Sequence, residues 1–325
     1  PHRDPVVWKS VLQIATSFLP YCATVWLMYY TLDVSYWLTL GLALLAAGFL
    51  VRVFIIQHDC GHGSFFRSRH ANAWVGRMCS IVTLTPYANW RHEHNGHHAK
   101  WNCLDRRGTT TDLYSKCLTV EEYLALSRGR RLLYRLSRSQ FVMFLLIPPL
   151  IFLVLYRFPI GTPKERGDLR RSVHGTNLAL AGCVVALGLA TSWLSVAMVH
   201  LPIMLFASIA GTWLFFVQHQ FDRTTWVDNR TWSPAHAVLT ATSHLKLPAV
   251  LQWFSGNIGL HHIHHMDTRV PNYQLEACHR RFAKLHDSAQ IGFWQGLNAT
   301  RLALWDDTRK IMVRFADLRR MPAAP

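Results

Sequence analysis

Acidic residues are scarce in this chain. In 325 residues, 18 Asp and Glu stand against 34 Lys and Arg, a formal charge of +16, and charged residues reach only 16%, against about 25% in soluble domains. That composition, with half of the chain hydrophobic, argues against a disordered chain, and long apolar runs argue against an ordinary soluble enzyme. Excess cation suits nucleic acid or an anionic membrane surface; with no soluble domain to carry it, a nucleic-acid partner drops out. The seven cysteines are odd in number and form no C-x-x-C pair, so neither a disulfide framework nor a zinc ribbon is implied, and reduced thiols are expected. No internal repeat, low-complexity tract or Gly/Ser linker divides the chain, and residues 1–325 read as one domain. No small-residue cleavage site follows the first apolar run, which therefore reads as a span rather than a signal peptide. Because the chain opens on Pro1, its natural N-terminus is expected to lie upstream.

Apolar length and histidine are what is abundant. Apolar runs cover about 11–32, 36–56, 141–158, 177–199 and 201–221. Four of them reach the roughly 20 residues a membrane span needs. The run at 141–158 is shorter and carries Pro148-Pro149 at its middle, where a broken helical ladder meets no water to repair it. The links at 33–35 and 200–202 hold no Lys or Arg, whereas 100–138 holds nine, 157–171 five, and the tail beyond residue 265 ten. The positive-inside rule puts both short tips outside and the basic stretches in the cytoplasm. Since both flanks of 141–158 are basic, that run should dip in and return, or lie in the interface. The expectation is an all-α integral membrane protein, with four transmembrane helices in two hairpins and one re-entrant or interfacial segment. A cytoplasmic helical cap (57–140 and 222–325) sits over them, in a bacterial inner membrane.

Nineteen histidines include three clusters on the inferred cytoplasmic side: His58 and His62; His94, His97 and His98; His261, His264 and His265. Spacings of three and four bring imidazoles onto one helical face. Neutral imidazole suits zinc, copper, nickel or iron alike. No H-E-x-x-H is present, since Gly96 stands where its second histidine would fall. Eight or nine imidazoles suit two metals with four or five ligands each, and their crowding at one end of the spans does not suit haem.

These motifs resemble the membrane fatty acid desaturases with three histidine boxes, in particular the bacterial and cyanobacterial delta-12 or omega-6-like branch. The matching strings are H-D-C-G-H at 58–62, W-R-x-x-H-x-x-H-H at 90–98, Q-H-Q-F-D at 218–222, G-N-I-G-x-H-H-I-H-H at 256–265 and R-x-P-N-Y at 269–273. The resemblance implies an enzyme that introduces a cis double bond into a fatty acyl lipid or acyl thioester. It implies a non-haem centre of two Fe ions, O2, and two electrons from a separate donor such as ferredoxin or cytochrome b5. No His-Pro-Gly-Gly core of a fused cytochrome b5 domain is present.

A ninth ligand, His219, is expected at the cytoplasmic end of the last apolar run, level with His58, and the resemblance implies an additional histidine from this region. The eight box histidines are expected to divide four and four, with His219 completing a five-coordinate site. Asp59, Glu93, Asp222 and Asn257 are the candidate partners behind the ligands, Asp222 orienting His219 across one turn of a continuing helix. His92 should miss the ligand face, the box pattern does not require His262, and His70, His174, His200, His236, His244, His279 and His286 read as ordinary interface or loop residues. Trp90, Trp101, Trp226 and Trp253 lie near the clusters and either line a substrate tunnel or, the preferred reading, form an aromatic belt at headgroup level. The nearest rival is a di-iron hydroxylase or ketolase acting on a lipid, carotenoid or alkane; a metal transporter is disfavoured because the spans lack a polar path.

Overall fold

The computed structural model describes residues 2–108, 116–282 and 288–320; His286 lies outside them. In the first half of the chain the helices are α1 (Val7–Thr31), α2 (Tyr36–His62), α3 (Arg69–Val82), α4 (Tyr87–His98), α5 (Val120–Ala125), α6 (Arg128–Ser137) and α7 (Ile147–Leu153). In the second half they are α8 (Gly167–Ala190), α9 (Trp193–Val217), α10 (Pro234–Thr240), α11 (Ala249–Phe254), α12 (His261–Met266), α13 (Asn272–Arg281) and α14 (Phe293–Ala299). Of these, α1, α2, α8 and α9 are long and apolar enough to cross a bilayer.

Helix α2 is central, packed by α1 and α9, while α8 is the most lipid-facing, with Leu178 and Leu189 almost fully exposed. Lipid supplies no hydrophobic drive between helices, so close packing has to hold them. The buried Ala43, Ala46 and Ala47 of α2 permit that approach. Helix α2 stops where Gly63 enters the left-handed region at φ 72°, a conformation that glycine adopts without a Cβ clash. His58 and His62 thereby occupy its last turns.

The second hairpin turns earlier than the apolar runs suggest. Its tip is Thr191-Ser192, with the Ser192 hydroxyl accepting from the Ser195 amide at 3.0 Å, so the spans run 167–190 and 193–217 instead of 177–199 and 201–221. His200 and Pro202, which read as a turn, lie inside α9. Pro202 cannot donate to the Met198 carbonyl four residues back, and the Tyr36 hydroxyl donates to that carbonyl instead, at 3.4 Å. The basic start of α8 belongs to the same helix because its first turns rise out of the apolar layer. The tips still carry no Lys or Arg, so the charge argument for sidedness is unchanged.

The doubtful run resolves into a π-helical stretch, Phe141–Leu146, followed by α7. Pro148 and Pro149 fall in the first turn of α7, directly after the π-helical stretch whose wider turn bonds the Ile147 amide to the Val142 carbonyl. Both ends of the segment are held at the cap. Gln140 Nε2 donates to Thr300 Oγ1 at 2.5 Å, Arg157 binds Asn177 and the Leu84 carbonyl, and the Thr162 hydroxyl donates to Asn89 of α4 at 2.9 Å. Such anchoring is compatible with a segment that dips and returns; taken together with α6, from which it bends by 49°, the same stretch is also long and apolar enough to form a fifth, broken span. Cysteines placed at Lys100 and Lys164 should accordingly label from the same side of the membrane; labelling from opposite sides would mean that the segment crosses.

The cap is mostly helical, with two small sheets among the described residues. One has the order Leu118–Thr119, Leu304–Asp306, Ile311–Val313, and the other pairs Ser243–Lys246 in parallel with Ala289–Gly292. The second sheet backs α12 and holds it over the ends of α2 and α9.

Candidate metal centre

Four chain segments bring nine imidazoles together. The end of α2 supplies His58 and His62; α4 supplies His94, His97 and His98; the turn after α9 supplies His219; α12 supplies His261, His264 and His265. They form two groups, His58, His62, His94, His98 and His264, and His97, His219, His261 and His265. Within the first, Nε2 atoms are 3.1 Å apart for His58 and His264, 3.0 Å for His264 and His98, and 3.2 Å for His98 and His94. Within the second they are 3.1 Å for His97 and His219, 2.9 Å for His219 and His261, 3.0 Å for His261 and His265, and 3.4 Å for His97 and His265.

These separations suit a shared cation. With metal–nitrogen bonds of about 2.1 Å, ligands at right angles stand about 3.0 Å apart and tetrahedral ones about 3.4 Å. The buried His62 Nε2 has no hydrogen-bond partner among the described residues, a costly state unless the atom faces a ligand. Burial pushes His94, His98, His219, His261, His264 and His265 well below the ordinary imidazole range, and repulsion from neighbouring rings pushes the same way. Both effects favour the neutral ring that a ligand set requires.

Such depressed values have a consequence for stability. Below the ordinary value of about 6.5, the unfolded chain takes up protons that the folded one refuses, so stability decreases as pH is lowered there and is level above. The melting temperature of metal-free protein in detergent should drop from pH 7 towards pH 5 and change little from pH 7 to 8. A flat profile through that acidic range would show that the rings are not held neutral.

The grouping differs from the expected four and four. The boxes divide as five and three, and His219 raises the three to four. Box two is split because His97 points one way and His94 and His98 the other. His92 is exposed, as its angle on α4 required. His262 is buried and gathers with His244 and His279, ring centroids 4.8 to 5.7 Å apart; the sequence reading had not joined these three.

Behind the ligands, Asp59 takes the position expected of it. Its Oδ1 lies 3.1 Å from His58 Nδ1, and its Oδ2 accepts from the amide and the side chain of Asn272, at 2.7 and 2.8 Å. With Nε2 facing the group, His58 donates from Nδ1, which sets its tautomer. Asn257, at φ 61°, touches no ligand; it shapes the turn before box three and donates to the Asn272 carbonyl. Glu93 accepts from Asn89 at 3.0 Å and faces the cavity described below. Asp222 does not orient His219. Helix α9 ends at Val217, so the one-turn geometry is lost, and Asp222 is exposed. His219 Nδ1 instead donates to the Ala241 carbonyl at 3.1 Å, and Asn102 holds the His219 carbonyl at 3.2 Å. Neither Ala241 nor Asn102 carries a motif from which that role could be read.

Trp90, Trp101 and Trp226 are buried inside the cap and not in a headgroup belt; Trp253, 41% exposed, fits the belt. Trp90 stacks flat on His94, ring centroids 4.7 Å apart, and explains Gly61 of box one, where a Cβ would stand 2.9 Å from the Trp90 ring. Beneath the first group a cavity of about 190 Å³ lies between α2, α9 and the 141–157 segment. Its wall includes His58, His94 and His261 at the metal end and Phe152, Met204, Ser208 and Gly211 further down. From Met204 to Gln218, α9 follows it for about 21 Å.

A helical membrane protein with two histidine groups, each able to hold a metal ion, over an apolar cavity is thereby defined. The chain belongs to the fatty acid desaturase family: the profile described as "Fatty acid desaturase" matches residues 35–296. It is 40% identical over 321 residues to a Bacillus subtilis "Fatty acid desaturase", covering 99% of this chain and 90% of that protein. It is 26% identical to a Synechocystis "sn-1 oleoyl-lipid 12-desaturase", covering 84% and 74%, and 27% identical to a Synechocystis "sn-1 acyl-lipid omega-3 desaturase (ferredoxin)", covering 69% and 61%. The chain is a membrane-bound fatty acyl desaturase, an oxidoreductase that introduces double bonds into acyl chains.

Proposed function

We propose that the two histidine groups each hold one iron ion and that the cavity beneath them takes the acyl chain of a membrane lipid. The observation that supports this reading most is the cavity's position: one continuous wall carries ligands from both groups, His58 and His94 with His261, and apolar side chains. When bound, a non-haem di-iron centre supplies, from O2, two electrons and two protons, an oxidant able to take two hydrogens from unactivated methylenes, both oxygen atoms leaving as water. The protein's part is positional. Phe152, Met204 and their neighbours confine the chain, exclude water, and decide which carbons rest below the ligands. The relatives' names favour an acyl lipid as substrate and ferredoxin as donor; a free or cytochrome b5-type donor serves the same chemistry. The basic cap faces the cytoplasm of a bacterial inner membrane, as its Lys and Arg surplus favours.

Expression in a host with a simple fatty-acid profile, followed by chromatography of the methyl esters, tests this. New monounsaturated or diunsaturated esters are expected; hydroxylated or keto products would support the rival oxygenase instead. Gly211 refines the test, since a Cβ there meets open space at the cavity wall. It lies about 12 Å along α9 from His219. Gly211→Leu should shorten the channel and move the product towards shorter chains or another double-bond position, with iron content unchanged. An unaltered product profile would place the substrate elsewhere.

A further inference from the structure

We infer that electrons reach the metal centre through Trp232 and Trp101, from a one-electron carrier protein docked over Trp232. This inference rests on the di-iron reading above. The four-histidine group is fully buried, so a donor that stays outside the cap cannot touch its ligands. Trp101 follows box two by three residues, is 3% exposed, and bridges the two groups: its ring centroid lies 4.4 Å from His265, 6.4 Å from His97 and 6.4 Å from His98. His97 and His265 belong to one group and His98 to the other.

Trp232 continues the line outward. Its ring meets Trp101 edge-on at 5.6 Å, and its Nε1 donates to the Trp101 carbonyl at 2.8 Å. It is only half-buried, and the Arg106 guanidinium lies 5.2 Å from its ring centre. Two acids share this face, Asp105 and Asp228, which accept from the backbone amides of Asn229 and Thr231 at 2.7 and 2.8 Å and keep their negative charge. A cation over an accessible indole, on a chain of net charge +16, favours an acidic partner. Two packed rings thus join the surface to ligands of both ions. One electron crosses at a time, two per double bond; each is lost by the carrier and gained by the metal, and both indoles end as they began.

Flash injection tests the route. In a chain with the exposed Cys22 and Cys183 replaced by serine, a ruthenium polypyridyl photoreductant is attached at Thr231→Cys or, for comparison, at Glu165→Cys. Transient absorption then follows reduction of the bound iron, with iron content assayed in each variant. Residue 165 is exposed and follows Thr162, whose hydroxyl donates to Asn89, so a label there lies on the side where Trp90 stacks on His94 and away from Trp232 and Trp101. Reduction from residue 231 should be about tenfold faster than from 165, because two packed indoles join that label to ligands of both groups, whereas Trp90 on the other side meets only the first group. Trp232→Leu, which touches no ligand, should remove that advantage at full iron content, and Trp101→Phe should keep most of it. An unchanged rate from residue 231 in iron-replete Trp232→Leu would overturn the route. Iron that neither label reduces, or a chain that takes up none, would instead overturn the di-iron reading itself.

Discussion

His219→Ala is expected to leave a folded membrane protein that binds one iron instead of two and has lost desaturation by more than about a hundredfold. The four-histidine group drops to three, and the lost ring is the one whose Nε2 lies 3.1 Å from His97 and 2.9 Å from His261. The Ala241 carbonyl, to which His219 donates, also loses its partner, a cost of about 1–3 kcal/mol if it stays buried and unpaired. His200→Ala is the matched control. His200 lies in the far half of α9 beside the Tyr29 hydroxyl, at 3.2 Å, about 28 Å along the helix from His219. It should keep both irons and full turnover. Full iron and turnover in His219→Ala would remove His219 from the ligand set while leaving the other eight histidines in place.

Asp59→Ala should lower iron affinity and turnover by about 10–100-fold without removing any ligand. Its carboxylate is 2% exposed and receives three donors, His58 Nδ1 and the two nitrogens of Asn272. Alanine leaves all three unpaired, so a fall in melting temperature should accompany the loss of metal. Asp59→Asn should recover little, because its amide nitrogen faces donors where the carboxylate had an acceptor. Both variants are read by iron content and thermal unfolding as well as by product. If Asp59→Ala keeps its iron and its melting temperature, the link from box three's supporting loop through Asn272 to His58 carries no weight.

The limits of the sequence are instructive at particular residues. His97 and His98 are adjacent, yet they serve different groups, because successive residues on α4 point about 100° apart and α4 lies between the two sites. Spacing within box two could not reveal which ion each faces. Asp222 failed as the partner of His219 because α9 stops one residue before the Q-H-Q-F-D string begins, and a one-turn argument needs a continuing helix. His200 and Pro202 imitated a turn, but a proline inside a span is tolerated when a neighbouring side chain satisfies the freed carbonyl, and Tyr36 does so here. Asn272 lay in a quoted motif without an assigned role; nothing local shows that it meets Asp59 from 213 residues away.

What the sequence determined alone is what depends on local order and composition: four apolar spans and the nine histidines that gather at one end of them. Periodicity and hydropathy act within one or two turns, and a lipid bilayer turns them into topology with few alternatives. Tertiary structure alone decided how the nine divide into five and four, which backbone carbonyl orients His219, where the cavity runs beneath them, and that Trp101 touches both groups. Each of these is a relation between segments far apart in the chain, set by how α2, α4, α9 and α12 pack, and no local pattern encodes a packing distance.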